Sequence, residues 1–302
     1  MRLFCTIVLA LGLFSSLAAQ ISITGFWTPL AQEAIALPAN AQRTIQPAAL
    51  SAFQLDYEAL ETALKAAPME FTRAADEQAL LLDLPMADGS MRTFSVVESP
   101  VIAPELAAKF PAIHTYSGVA TDGSGVIVRL GIGYKGFHAF IFDGQNGIQS
   151  IRPYAEDMQH VYMAYKMTDL PKDMTQAGQS RCGMDDFPAA LEDEISVEGH
   201  HAASERGSES VQLKVYRIAI AAQGEYSVFH GGTKPLVLSA IVESLNFVAA
   251  IYLRDFAVRL ELVANNDGII FLDPNSDPYT GEGVLDWAIQ NSGAINPIIG
   301  IN

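Results

Sequence analysis

The stretch Ser180-Arg181-Cys182-Gly183-Met184-Asp185-Asp186 holds the one cysteine outside the first few residues, the other being Cys5. Such a thiol has three ordinary uses: an intermolecular disulfide, a free thiol with a chemical task, or inert packing. The six histidines are the other chemistry-bearing set. None has a second histidine four residues on, so no helix face carries a paired zinc-ligand signature. His114 and His138 fall on strand-like runs, where surface or hydrogen-bonded positions are expected. His230 sits in a His-Gly-Gly loop, and His200-His201 in an acidic, solvated segment. Asp273-Pro274-Asn275-Ser276-Asp277 alternates oxygen ligands as calcium loops do. Pro278 and Val284, however, occupy the positions that need Gly and Glu, so a solvated Asx-rich loop is expected. Gly131-Ile132-Gly133-Tyr134-Lys135-Gly136 matches G-x-G-x-x-G, but strand-like residues follow it where a dinucleotide site needs a helix. The glycines read as hairpin punctuation. No serine–histidine–acid set is identifiable, so no catalytic or cofactor-binding residue is named from these patterns.

The N-terminus sets the expected compartment. Met1-Arg2, an apolar run from Leu3 to Leu13, and the small residues Ser15 to Gln20 read as a secretory signal peptide, residues 1–19. Cys5 lies within it, leaving Cys182 as the mature chain's lone thiol. No later segment is expected to cross a membrane. The formal charge of -16 over 302 residues argues against nucleic acid as a partner, because phosphate binding needs clustered Lys and Arg. Half the residues are hydrophobic, enough for a sizeable core.

The patterning divides the mature chain. A short helix is expected over Leu55 to Leu64. Strand-like runs follow at Leu80 to Leu82 and Thr93 to Val97, separated by the hairpin signal Asp88-Gly89. One or two helical turns are expected from Pro104 to Phe110. More strands follow at Gly125 to Gly133, Gly136 to Phe142, Gly147 to Ile151 and His160 to Lys166. Residues 79–166 thus read as an antiparallel β-rich meander or small sandwich. Residues 185–210 are acidic, small and polar, and read as a linker open to proteases. Beyond them come a strand running into a core at Val211 to Ala221 and a helix from about Pro235 to Leu253. That helix is expected to bury Val237, Ile241, Leu245, Val248 and Tyr252. A strand at Ala257 to Val263 and a short third strand at Ile269 to Leu272 complete an α/β pattern with a crossover helix. Ile295 to Asn302 shows no closing element, so the last unit is expected to be incomplete. The expected fold class is α+β: an antiparallel β-rich part, residues 20–184, then an α/β part, residues 211–302.

Three stretches carry a resemblance. They are Tyr216-Arg217-Ile218-Ala219 with Gly224-Glu225-Tyr226 and Phe229-His230-Gly231-Gly232-Thr233; Asn246 with Ile251-Tyr252, Arg254-Asp255-Phe256 and Val258 through Asn266; and Asp277-Pro278-Tyr279-Thr280. Together they resemble the opening strand, first helix and second strand of reprolysin-like (metzincin) zinc metallopeptidases. Leu84-Pro85-Met86, Val97-Glu98-Ser99-Pro100, Thr115-Tyr116-Ser117-Gly118 and Gly136-Phe137-His138-Ala139 are similar to the family's propeptides.

The resemblance implies a secreted, latent zinc metalloendopeptidase acting on protein or peptide substrates, with residues 20–184 as its antiparallel β-rich propeptide and residues 211–302 as the N-terminal part of an α/β metzincin-like catalytic domain. It implies a five-stranded metzincin sheet and three zinc histidines with a glutamate base in a motif lying beyond Asn302, so the fragment itself is expected to be inactive. It also gives Arg181-Cys182-Gly183 a role, being similar to the cysteine switch of related propeptides. Cys182 is then the expected metal ligand of the latent state, its thiolate occupying the position that water needs. The alternative from a different class is a non-catalytic exported β-rich binding or adhesion module with a degenerate peptidase remnant.

Overall fold

The computed structural model describes residues 22–23, 25–39, 41, 43–156, 158–171, 212–280 and 284–300. Cys182, His200, His201, the signal segment and the 185–210 linker lie outside these residues. The fold is mixed α+β, built on two sheets.

The first sheet has ten strands: β1 (Ser22–Ile23), β2 (Trp27–Leu30), β3 (Ser51–Leu55), β4 (Leu80–Pro85), β5 (Met91–Glu98), β6 (His114–Ala120), β7 (Ile127–Gly133), β8 (Gly136–Asp143), β9 (Gly147–Pro153) and β10 (Val161–Lys166). Their order is β1-β4-β5-β6-β7-β8-β9-β10-β3-β2. Every pairing is antiparallel except the short parallel contact of β1 with β4. The sheet is larger than the expected 79–166 meander, because β1, β2 and β3 join from upstream.

It also curls. Trp27 on the edge strand β2 meets Phe137 of β8 and Tyr162 of β10 edge-on, both at 5.6 Å between ring centroids. The concave face is filled by Phe94, Val96, Tyr116, Val128, Leu130, Ile141 and their neighbours. Helix α1 (Tyr57–Leu64) covers it with Leu60, Ala63 and Leu64, all buried. Asp56 starts that helix by accepting from the Ala59 amide at 3.1 Å. The expected Leu55 start is therefore two residues early, since Leu55 ends β3. Helix α2 (Arg73–Gln78) is short and exposed, and helix α3 (Pro104–Lys109) occupies its expected place.

Strand β8 explains the rest of the architecture. Every residue from Gly136 to Asp143 is buried. A strand with apolar groups on both faces needs cover on both faces. Phe137, Ala139 and Ile141 point into the concave core. Phe140 and Phe142 point out and pack on the long helix of the second part, against Phe247, Ala250 and Ile251.

That second part contains β11 (Lys214–Ile218), α4 (Gly224–Phe229), α5 (Lys234–Phe256), β12 (Val258–Leu262) and α6 (Val284–Ile299). β11 and β12 pair in parallel, Lys214 opposite Val258 through Ile218 opposite Leu262, as a strand–helix–strand crossover requires. Several expectations are corrected here. β11 reaches a core only at its end: Ile218 packs on it, followed by Ile220 and the buried Ala222, whereas Val215 and Tyr216 are more than half exposed. Residues 269–272 form no strand, only an isolated parallel bridge of Ile270 to Ala222. α6 was not foreseen. On α5, Val237, Ile241 and Leu245 are buried, but Val248 and Tyr252 are exposed. Leu238, Ser239, Val242, Asn246, Ala249 and Ala250 are buried instead. The helix has two covered faces, one on β11–β12 and one on the convex side of the ten-stranded sheet, so a single stripe misdescribes it. α5 is also long and apolar enough to cross a membrane, contrary to the sequence reading. In the fold 56% of its most apolar stretch is buried.

Candidate functional site

The joint between the ten-stranded sheet and α5 gathers most of the buried polar chemistry. β7 alternates, so Val128, Leu130 and Ile132 face the concave core and Arg129, Gly131 and Gly133 face the helix. Arg129 is 4% exposed. Its Nε donates to Oδ1 of Asn246 at 2.8 Å, and its terminal nitrogen to Oγ of Ser99 at 2.8 Å. Asn246 in turn donates to the Leu130 carbonyl at 3.1 Å. Burial pulls the Arg129 pKa down to about 10, so the group stays charged at neutral pH with polar partners on both sides.

One turn toward the start of α5 lies a cavity of about 720 Å³, bounded by β7–β9, α4 and α5. Arg152 of β9 pairs with Glu243 of α5 across it. Protein atoms crowd both groups, yet their side chains keep 24% and 22% of their surface accessible, which the cavity supplies. Burial alone would push the Glu243 carboxyl up. Arg152, His138 and Lys135 outweigh that and hold it below the usual range. His138 lies buried on the convex face of β8. Its Nε2 finds no hydrogen-bond partner among the described residues, and burial lowers its pKa. Gly131 allows this ring its place: a Cβ there would stand 2.6 Å from His138 Cε1. At the cavity mouth Lys135 Nζ donates to Nδ1 of His230 at 3.0 Å. Burial, and then the Lys135 charge, push His230 down to about 4, so it is neutral at neutral pH. Ser239 completes the seam by accepting from the Tyr134 amide at 3.2 Å.

A second joint lies on the edge of β12. Leu262 donates to the Val101 carbonyl at 2.8 Å and accepts from the Ala103 amide at 2.9 Å. The loop between β5 and α3 thereby acts as a third strand on the small sheet. Arg259 of β12 donates to the Pro100 carbonyl at 3.1 Å. It also makes a close ion pair with Glu70 at 2.8 Å that lacks hydrogen-bond geometry. Lys109, ending α3, reaches Asp267 at 2.7 Å.

These groups join the ten-stranded sheet to the second part of the chain. Among the described residues, no group of three or more His, Cys, Asp or Glu is placed to hold a metal ion. The zinc implied by the resemblance therefore has no fitting ligand set there. His114 is satisfied by Glu98 at 2.9 Å and the Pro111 carbonyl at 3.0 Å. The Asp273–Asp277 carboxylates are taken up by backbone amides: Asp273 accepts from the Asn275 amide of its own loop at 2.9 Å, and Asp277 from the Gly224 amide at the start of α4 at 2.7 Å. Gly133 and Gly136 close the β7–β8 hairpin, as expected of the G-x-G-x-x-G stretch. The sequence reading did not single out Arg129, Arg152 and Glu243, and it placed His138 at a surface or satisfied position. The available signal was charge interrupting apolar runs: an arginine inside an alternating strand, and Glu243 with Asn246 inside an apolar helix.

Neither a curated protein nor a solved structure matches the chain. Residues 212–292, which run from just before β11 into α6 and contain the three stretches of resemblance, match the family model described as Metallo-peptidase family M12B Reprolysin-like.

Proposed function

We propose that the chain is the precursor of a secreted zinc metalloendopeptidase. Residues 1–19 would be its signal, 20–184 its propeptide, 185–210 its linker and 211–302 the first part of its catalytic domain. The observation that carries this reading is the reprolysin-like match over residues 212–292. The parallel β11–α5–β12 unit supports it, being the crossover expected of the opening of such a domain. So does the exposure of Val215 and Tyr216 on β11, a surface that further strands of a catalytic sheet would cover. Cys182 is proposed as the latency element, placed near the end of the propeptide and ahead of the linker.

The test is to express the precursor together with whatever the gene encodes after residue 302. Metal content and peptide-bond hydrolysis are then measured before and after cleavage in residues 185–210. Stoichiometric zinc, hydrolysis that rises on cleavage, and early activity in Cys182→Ser are expected. A full-length product with neither zinc nor hydrolysis would remove the peptidase reading. Activity unaffected by Cys182→Ser would remove only the latency element.

A further inference from the structure

We propose that residues 22–171 are a lasting structural subunit of the second part and not a leader shed by cleavage. After the segment between residues 171 and 212 is cut, the two pieces stay associated.

The strongest support is the composition of the second core. Val101, Ile102, Leu106, Phe110 and Ile113, all from the first part, are buried in one cluster with Leu238, Ile241, Leu245, Leu260 and Leu262. A separated second part would lose one wall of its own core. Interfaces of this type, in which a shared apolar core is divided between two chains, characterise obligate assemblies.

The helix adds an independent argument. α5 packs both on β8's outer aromatics and on the inner face of β11–β12. Without the ten-stranded sheet, Phe247 and Ala250 lose Phe140 and Phe142, whose rings lie 5.0 and 5.4 Å from that of Phe247. Asn246 and Glu243 lose Arg129 and Arg152. In the same event the first part would keep a buried-type arginine with its main acceptor gone. Each piece is thus left with a defect that the other repairs.

The β12 edge is the third contact. The Leu262 amide and carbonyl are both satisfied by Val101 and Ala103. Losing that loop would open an unpaired strand edge, a surface that proteins normally cover. Arg259, held by Pro100 and Glu70, clasps the same edge.

Cutting the chain between residues 171 and 212 removes the covalent tether, whose contribution is an effective concentration of one piece for the other. None of the contacts above involves the linker. Cleavage there therefore leaves the joint intact. On the peptidase reading, activation would then need no departure of the propeptide. The inference itself is independent of that reading, because its test reads mass and not hydrolysis.

The experiment uses residues 20–302 with a site-specific protease sequence inserted between residues 186 and 206. After complete cutting, the sample is followed by size-exclusion chromatography with light scattering, at about 1 µM and after dilution toward about 10 nM, a range that separates weak from tight complexes. One peak with the summed mass at both concentrations is expected. Two peaks, or precipitation of one piece with the other left in solution, would overturn the proposal. Ala250→Arg drives a charged side chain against Phe140 and Phe142, and is expected to lower the mass after cutting while leaving the uncut chain monomeric. If that variant fails to fold uncut, Arg259→Ala takes its place, with at least a tenfold weaker association expected. Cut pieces that stay together equally well in both variants would show that the joint is not the one described.

Discussion

Arg129 and Asn246, 117 positions apart, meet at 2.8 Å in a fully buried bridge between β7 and α5. The pair works in both directions, because Asn246 also donates to the Leu130 carbonyl next to Arg129. Asn246→Leu would leave a buried cation short of its acceptor and a strand carbonyl short of its donor. A loss of about 2–3 kcal/mol in stability is expected, the usual magnitude for a hydrogen bond to a charged group. Arg129→Met with Asn246→Leu removes charge and acceptor together and should restore more than half of that loss. Urea unfolding of the four species closes the cycle. Additivity within about 0.5 kcal/mol would mean that the two residues do not act as a pair.

The same joint should weaken in acid. His138 and His230 both have folded pKa values below the ordinary 6.5, through burial in each case, with Lys135 adding to the effect at His230. As pH falls below 6.5, the unfolded chain takes up protons that the folded joint refuses, so stability falls with pH. The loss runs from 6.5 down to about 4, where His230 itself becomes protonated. Glu243, depressed by Arg152, His138 and Lys135, loses its contribution at still lower pH and in the same direction. His114 opposes this: its hydrogen bond to Glu98 raises its pKa, so its stabilisation is full below 6.5 and fades as pH rises through the raised value. His114 lies within the ten-stranded sheet and not at the joint. Denaturation midpoints measured between pH 6.5 and about 4 should flatten in a His138→Gln, His230→Gln double variant. An unchanged slope would exclude these two histidines.

What could be read from the sequence was local. The β7–β8 hairpin shows in its glycines, α1 and α3 in their spacing, and the α5 crossover in its neighbouring strands. Placement of these elements relative to one another could not be read, because nothing near Phe140 or Phe142 says that their cover is Phe247, more than a hundred residues away. This is also why Val248 and Tyr252 were misplaced: a one-faced helix was assumed where two sheets compete for it. β1 is only two residues long and β2 four, too short for any periodicity. Residues 269–272 have strand composition, yet Ile270 makes only a bridge to Ala222. The site suffered most, since a buried arginine and its partner form a pattern only after folding.

Gly224 offers a steric prediction. A Cβ there would fall 2.1 Å from the Pro274 nitrogen and 2.3 Å from its Cα, both backbone atoms. The loop cannot yield without breaking the Asp277 bond to the Gly224 amide. Asp277→Ala removes that bond and the one from the Tyr279 amide at 2.9 Å, without adding volume, and should cost about 1 kcal/mol, as loss of a helix cap does. Gly224→Ala should cost clearly more, about 3 kcal/mol or above, by the overpacking route. Thermal unfolding compares the two, and equal losses would show that the loop is not clamped against α4.

Ala257 ends α5 with φ 52° and ψ 39°, the left-handed conformation that glycine adopts freely. Holding an alanine there costs about 1–2 kcal/mol. Glycine relieves that strain but adds about 0.5–1 kcal/mol of chain entropy to lose on folding. The balance favours Ala257→Gly by somewhat under about 1 kcal/mol. The position is sensitive because the Ala257 carbonyl also receives the Lys214 amide at 3.0 Å, fixing where β11 begins. The same change one helix face away, Ala249→Gly, meets no such strain and loses buried contact, so it should destabilise by about 1 kcal/mol or more. Opposite shifts in denaturation midpoint for the two variants are expected. A loss in both would mean that the left-handed cap at Ala257 carries no strain for glycine to relieve.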